Sequence, residues 1–508
     1  MTPKKQNQFL CIHGHFYQPP RENPWTGKTE QEESAAPFHD WNERIFNECY
    51  KPNTEAVIVD DKGKVIKRVN NYEYLNFNFG PTLMEWIRSN HKETFQRIID
   101  ADKVSREKHN GFGNAIAQAY NHTILPLSNR KDKITQIKWG KKYFEHFFGR
   151  KALSMWLPET AVNYDTLDVL INEDIKFIIL DPSQASLVRE FGDKSREDVS
   201  RGNINPKMPY RYFSGNKHID IFFYDGPLSK ALAFDDIAYS SEKLMSRIES
   251  AKLPDINIPQ LISIAVDGET FGHHKKFSDR TIAYLFTKLA SEHNFKITNF
   301  SEYLAMNPPT YEVQIKPGDM EEGTSWSCMH GTKRWRADCG DSTGGQPGWN
   351  QKWREPLRNS LNILNAKLDV IYNVFGKKYF TDPTTARNDY IDLILNNTAA
   401  SVKKFFAKHS VKTMSEKEIN FALNLLEMEK YSMQMFTSCG WFFADISGIE
   451  SQLVLKYAKR AIEFAKEISD IDLETDLLDE LKKAKSNISE YGTGKDIYLR
   501  LKQQESNI

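Results

Sequence analysis

The chain of 508 residues has only five cysteines and no apolar stretch long enough to cross a membrane. So few thiols, odd in number, exclude a secreted disulfide framework, and Cys11, Cys49, Cys328, Cys339 and Cys439 are expected as reduced thiols in a reducing compartment. Net charge is missing as well. Lys+Arg and Asp+Glu both number 68, so no whole-chain field draws the protein to nucleic acid or an anionic membrane, and neither is an expected partner. The N-terminal residues lack an apolar run of signal-peptide length, which gives a cytoplasmic expectation. There is no internal repeat or low-complexity tract, and nothing in the sequence fixes an oligomeric state. What the chain does have is aromatic surface: 10 Trp and 21 Tyr, with several Trp in Gly-rich polar stretches where a core residue is less expected. Sugar rings stack on such faces, and a neutral substrate suits a neutral chain.

A chain of this length predicts two or three domains, one of them large enough to be a barrel. Short β-rich apolar runs at 9–12, 153–157, 177–180, 219–224 and 261–266 alternate with helical spacing at 81–108, 134–148, 164–172, 239–251 and 281–292. That alternation predicts an α/β barrel or an open parallel sheet. Residues 57–60 and 65–69 flank Asp60-Asp61-Lys62-Gly63-Lys64 as a small hairpin. The stretch from His13 through Asn53 and the stretch 181–207 lack periodicity and read as irregular; the first is long enough to cover a site. Beyond Asn307-Pro308-Pro309 the pattern changes. A Gly/Trp-rich loop at 318–351 leads into helical segments at 353–374, 386–408, 416–436, 449–467 and 473–488 with no recurring strand. The predicted organisation is a catalytic α/β part over 1–310 and an all-α part over 311–508, with 503–508 frayed.

Chemistry gathers where the apolar runs end. Residues 261–266 stop at Asp267-Gly268-Glu269, with Gly272, His273 and His274 just beyond, and 153–157 stop at Pro158-Glu159-Thr160. In a parallel barrel such strand ends face one cleft, where two carboxyls divide glycosidic cleavage between nucleophilic attack and protonation of the leaving oxygen. On an extended backbone Asp267 and Glu269 point the same way, so one is catalytic and the other supporting, while Gly268 and Gly272 admit tight turns and a closely approaching substrate. A strand-end acid serves equally as a cap or ion-pair partner, so spacing leaves the role open. The pair His13-x-His15 supports a rival, a metal-dependent barrel hydrolase completed by His122, Asp267, His273 and His274. Cys328, His330 and Cys339 invite a zinc reading, but structural zinc takes four protein ligands and no fourth Cys or His lies close in sequence. No metal and no cofactor is expected. A third class is a glucan-binding protein without turnover.

Four stretches resemble the motifs of glycoside hydrolase family 57: H-G-H-F-Y-Q-P-P at 13–20, G-N-A-I-A-Q-A-Y-N-H at 113–122, M-W-L-P-E at 155–159 and A-V-D-G-E-T-F-G-H-H at 265–274. Their order matches too, and the resemblance spans most of the chain. It implies an incomplete seven-stranded β/α barrel followed by a helical domain, and a retaining enzyme acting on α-1,4-glucan as glycosidase, 4-α-glucanotransferase or branching enzyme. Carried over by motif, Glu159 is the nucleophile and Asp267 the general acid/base. His13, His15 and His122 are expected to bond sugar hydroxyls, with Gln18, Trp25, Trp156, Glu269 and His273 also binding substrate. Phe16-Tyr17 separates His15 from Gln18-Pro19 where the family runs His-Gln-Pro, and His274 stands where many members carry tryptophan. Residues 325–340 and 435–450 are similar to a branch with its own C-terminal region. Their Trp326, Trp335 and Trp441 are expected either as stacking platforms for glucan rings or as glue within the fold, and Arg334, Arg336 and Asp338 as an ion network.

Overall fold

The computed structural model describes residues 7–254 and 258–505, with side chains through 501. The last helix, Gly494–Glu505, reaches into the segment expected to fray, and 506–508 lie outside the described residues.

Packing divides the chain into two units that alternate along the sequence. The first takes the described residues within Met1–Pro20, Glu30–Gln118 and Phe147–Pro317; the second takes Arg21–Thr29, Ala119–His146 and those within Gly318–Ile508. The final crossing lies near the expected 310, but 21–29 and 119–146 side with the C-terminal residues. The cause is visible in the helix Arg130–Phe148. Trp139 Nε1 donates to the Asn388 carbonyl at 3.0 Å, and buried Arg387 pairs with Asp132 at 2.7 Å and Glu429 at 2.6 Å.

In the first unit, Gln8–Phe16 runs parallel to Gln260–Asp267 along its length, His15 opposite Asp267. Its other edge takes Lys296–Ile297 and then Asn76–Phe79, both parallel. Phe77 bridges to Ala115, Ala117–Gln118 pairs with Met155–Trp156, Ser154 bridges to Phe177, and Phe177–Leu180 pairs with Lys217–Phe223, each in parallel. Asp225 N then donates to the Ser263 carbonyl at 2.8 Å. Phe177-Ile178-Ile179-Leu180 and residues 260–266 are buried throughout, as continuous apolar runs covered on both faces should be.

The first strand is longer than its apolar run. His13-Gly14-His15-Phe16 stays extended because strands on both sides supply ladder partners, so the two histidines, two residues apart, share one face. Residues 181–207, read as irregular, contain the strands Ala185–Glu190 and Glu197–Asp198. Ala185–Glu190 pairs antiparallel with Tyr311–Ile315, which continues through Tyr210–Ser214 to Lys217–Phe223. Their pairing is tertiary, and local composition does not announce it. The hairpin Ala56–Val59 with Val65–Val69 and the helices Pro81–Asn90 and Lys92–Lys108 form as expected.

The second unit is helical; besides Arg130–Phe148, nearly all of which it holds, its longer elements before the last helix are Arg354–Tyr379, Ala399–His409, Glu416–Gln434 and Ile449–Lys466. Along Arg354–Tyr379, fully buried Leu357, Leu361, Leu364, Leu368 and Ile371 form one apolar stripe at helical spacing. Among the described residues no strand follows Tyr311–Ile315, and no helix is long and apolar enough to cross a membrane.

Candidate active site

The strand Met155–Trp156 delivers Glu159 through a strained turn. Pro158 fixes the entry, and Glu159 (φ 58°) and Thr160 (φ 48°) both sit in the left-handed region, a conformation costing about 1–3 kcal/mol each when no glycine is present. The turn is held from outside. Thr160 Oγ1 donates to Gln184 Oε1 at 2.8 Å, Gln184 Nε2 donates back to the Thr160 carbonyl at 2.9 Å, and Thr160 N donates to the Leu157 carbonyl at 2.8 Å.

Asp267 ends the strand Gln260–Asp267. It is open to solvent yet closely surrounded, and desolvation, with the charge of Glu159 adding to it, raises its carboxyl to about 7. The two strand-end acids therefore lie close enough to feel each other. Tyr224, whose hydroxyl donates to Asp181 at 2.5 Å, also feels Asp267; burial first and these carboxylates next push its phenol well up.

Glu269 does not sit beside Asp267 on an extended backbone. Gly268–Thr270 is a tight turn, so Glu269 turns inward, buried, and accepts from the Tyr50 hydroxyl at 2.6 Å and from Tyr17 N at 3.2 Å. Burial lifts its carboxyl to about 8 despite the Tyr50 bond. The glycines sit in turns as expected, Gly272 with φ 140°, and protein approaches both closely. A Cβ at Gly268 would lie 2.3 Å from the Phe16 ring, and one at Gly272 2.2 Å from the Glu48 carbonyl oxygen.

His13 and His15 stack on one ring. Trp156 lies 4.5 Å from His13 and 5.1 Å from His15, nearly parallel to both. His13 Nδ1 bonds Asn76 Oδ1 at 2.7 Å and its Nε2 lies 3.1 Å from Asn78 Oδ1, while Asn78 Nδ2 is 2.9 Å from His15 Nδ1 and donates to Gln118 Oε1 at 2.7 Å. Burial drops His13 to about 4, so its ring is neutral at ordinary pH. Sequence reasoning missed Asn76, Asn78, Gln118, Tyr17 and Tyr50. The alternation Asn76-Phe77-Asn78-Phe79, which puts two amides on one strand face, was the available signal.

Gln18 is half-buried and donates to the Tyr17 carbonyl at 3.0 Å. His273 Nδ1 bonds Glu48, and its ring meets Trp41 edge-on at 6.1 Å. His122 and Trp25 belong to the second unit. There His122 Nδ1 is 2.6 Å from Ser438 Oγ, with burial lowering the ring to about 3, and half-buried Trp25 donates to Glu463 at 2.7 Å. Trp326 is half-buried. Trp335 and Trp441 are fully buried, and Trp441 Nε1 donates to the Arg354 carbonyl at 3.2 Å; rings enclosed in this way present no face to a sugar, so both are packing residues. Arg334 bonds the Ser327 and Phe442 carbonyls, and Arg336 pairs with Asp319 and Glu322, not with Asp338. Of the donors of the metal-hydrolase rival, His13 bonds Asn76, His15 lies against Asn78, His122 against Ser438 and His273 bonds Glu48. Among the described residues, ligand atoms of three or more His, Cys, Asp or Glu gather at Cys328, His330, Cys339 and Asp341 alone, in the second unit.

Residues 9–316 match the model of glycosyl hydrolase family 57. The chain belongs to that family. Residues 349–506 match a domain of unknown function, DUF3536, so this family 57 member carries a distinct C-terminal region. Its fold is similar to that of the exo-type maltose-forming amylase of Pyrococcus sp. ST04, with TM-score 0.68 and 15% identity over 94% of this chain and 83% of that one. The branching enzyme of Pyrococcus horikoshii matches with TM-score 0.54 and 15% identity over 98% and 95%. The 4-alpha-glucanotransferase of Thermococcus litoralis matches with TM-score 0.53 and 16% identity over 93%, and this chain spans 62% of that longer one. In sequence, 107 residues, 21% of the chain, are 28% identical to alpha-amylase 1 of Dictyoglomus thermophilum and span 15% of it.

Proposed function

We propose that this family 57 chain is a retaining enzyme of α-1,4-glucan, working through a glycosyl-enzyme intermediate, with Glu159 as nucleophile and Asp267 as general acid/base. The observation that carries the reading is the charge coupling of the two acids, with Asp267 raised to about 7. A carboxyl that keeps its proton near neutrality protonates the leaving glycosidic oxygen while its ionised neighbour attacks the anomeric carbon. In the second half-reaction Asp267 takes a proton from the water or sugar hydroxyl that releases the glycosyl unit. Neutral His13, with His15, Gln18, Trp156, Glu269 and His273 from the same unit, binds or supports the sugar. Asn76 and Asn78 hold the histidine rings in place.

The scaffold of this reading is an incomplete barrel of seven parallel strands. Its support is the run of pairings and bridges from Gln8–Phe16 through Asn76–Phe79, Ala117–Gln118, Met155–Trp156, Phe177–Leu180 and Lys217–Phe223 to Gln260–Asp267. A cytoplasmic setting fits five cysteines that are all free thiols.

Incubation with maltooligosaccharides, amylose and glycogen, followed by chain-length and branch analysis, tests the reading. Shorter products alone mean hydrolysis, longer ones disproportionation, and new α-1,6 links branching. Glu159→Gln and Asp267→Asn should each lower turnover by about three orders of magnitude or more with the fold intact. Unchanged glucans, or near-normal turnover in either variant, would overturn it.

A further inference from the structure

The Gly/Trp-rich stretch of the second unit folds Cys328, His330, Cys339 and Asp341 onto one point. One ligand atom of each lies within 4.8 Å of all the others. Cys328 Sγ is 3.9 Å from Cys339 Sγ, Cys339 Sγ is 3.6 Å from Asp341 Oδ2, and His330 Nδ1 is 3.6 Å from the same oxygen. Around zinc, with Zn–S near 2.3 Å and Zn–N or Zn–O near 2.0–2.1 Å, tetrahedral ligand atoms stand roughly 3.3–3.8 Å apart. These three edges approximate those of that polyhedron, and the remaining ones, at no more than 4.8 Å, close on it by small side-chain shifts.

The ligands come in two pairs, Cys328-x-His330 and Cys339-x-Asp341, each beside a glycine with positive φ, Gly331 at 79° and Gly340 at 82°. Such backbone lets the chain fold both members of a pair toward one center. Buried arginines pin the loop from behind. Arg334 donates to the Ser327 carbonyl at 3.2 Å and to Thr343 Oγ1 at 2.8 Å, flanking both pairs, and Arg354 Nη1 donates to the Asp341 carbonyl at 2.8 Å. The same Arg354 nitrogen lies 3.8 Å from Cys339 Sγ. Two thiolates, a carboxylate and a neutral imidazole around a divalent ion leave one negative charge, which this guanidinium offsets.

We propose that Cys328, His330, Cys339 and Asp341 bind one zinc ion as a closed structural site. Sulfur and imidazole donors select zinc over magnesium or calcium, and four protein ligands leave no open position for catalysis. The ion clips the loop 328–341 into the second unit. Sequence spacing concealed the site because its fourth ligand is an aspartate.

Full-length protein, prepared under reductant without chelator and dialysed, should carry one zinc per chain by plasma mass spectrometry. Cobalt in its place should give the intense visible and thiolate charge-transfer absorption of a tetrahedral thiolate site. Asp341→Ala and His330→Ala, at partly exposed positions, should keep the wild-type far-UV circular dichroism and weaken zinc binding by at least about 100-fold, since loss of outer-shell support alone costs about 10–100-fold. Removing zinc from the wild type should expose Cys328 and Cys339 to a thiol reagent and lower Tm, a readout that survives if cysteine variants misfold. Reduced wild type that takes up no stoichiometric zinc, cobalt protein without thiolate absorption, or thiols equally reactive with and without zinc would each overturn the proposal.

Discussion

Two carboxyls of the first unit titrate far above their ordinary range, and both kinetics and stability should report it. A general acid works only while protonated, so with Asp267 in the proposed role kcat should fall as pH rises through about 7. In Asp267→Asn that alkaline limb should vanish from the residual pH profile, and aryl glycosides with good leaving groups should be spared relative to glucan; an unchanged limb would assign it to another group. Stability follows the opposite rule from a salt-bridged acid. Glu269 is raised to about 8 when folded, so its favourable share is complete below the unfolded value, about 4.3, and is lost as pH rises through about 8. Glu269→Gln keeps an acceptor for Tyr50 and Tyr17, and its Tm advantage over wild type should grow from mildly acidic to alkaline pH.

At the scale of the element, the turn Pro158–Thr160 stores strain that Gln184 holds in place. Thr160→Val keeps the shape and deletes the hydroxyl that bonds Gln184. Without it the Glu159 carboxylate drifts from its aim, and a misplacement of about 1 Å costs about 100-fold. Steady-state kinetics should show a lower kcat with KM little changed and the fold retained; full activity would mean that Pro158, the backbone hydrogen bonds and the Gln184 Nε2 bond to the carbonyl of residue 160 hold the turn without the hydroxyl. The turn after Asp267 is limited by packing. Gly268→Ala drives a methyl group against the Phe16 ring and should cost about 1–3 kcal/mol in denaturant unfolding.

At the scale of the whole molecule, the chain leaves the first unit and returns twice, at 21–29 and 119–146, before entering the second for good. Truncation after Pro317 would keep 119–146 but remove the partners of its helix, leaving Asp132 without Arg387 and Trp139 without the Asn388 carbonyl. Breaking a buried ion pair costs about 3–5 kcal/mol, and the stripped apolar face adds to that. The fragment 1–317 should therefore aggregate or unfold without cooperativity, whereas a fragment that stays soluble and melts cooperatively would show that 119–146 does not depend on the second unit.

The sequence by itself determined the elements whose signal is local: the buried apolar strands, the amphipathic helices with their leucine stripe, and the acids that end two strands, each legible because side-chain periodicity reports which face is covered. Motif resemblance then singled out Glu159 and Asp267. Tertiary structure alone decided what depends on partners distant in the chain: that His13 and His15 lie within a strand on Trp156, that Glu269 turns inward to Tyr50, that Trp335 and Trp441 are enclosed, and that 185–198 pairs as sheet. These are questions of burial, hydrogen-bond pairing and charge proximity between residues far apart in sequence, and local spacing does not encode such distances.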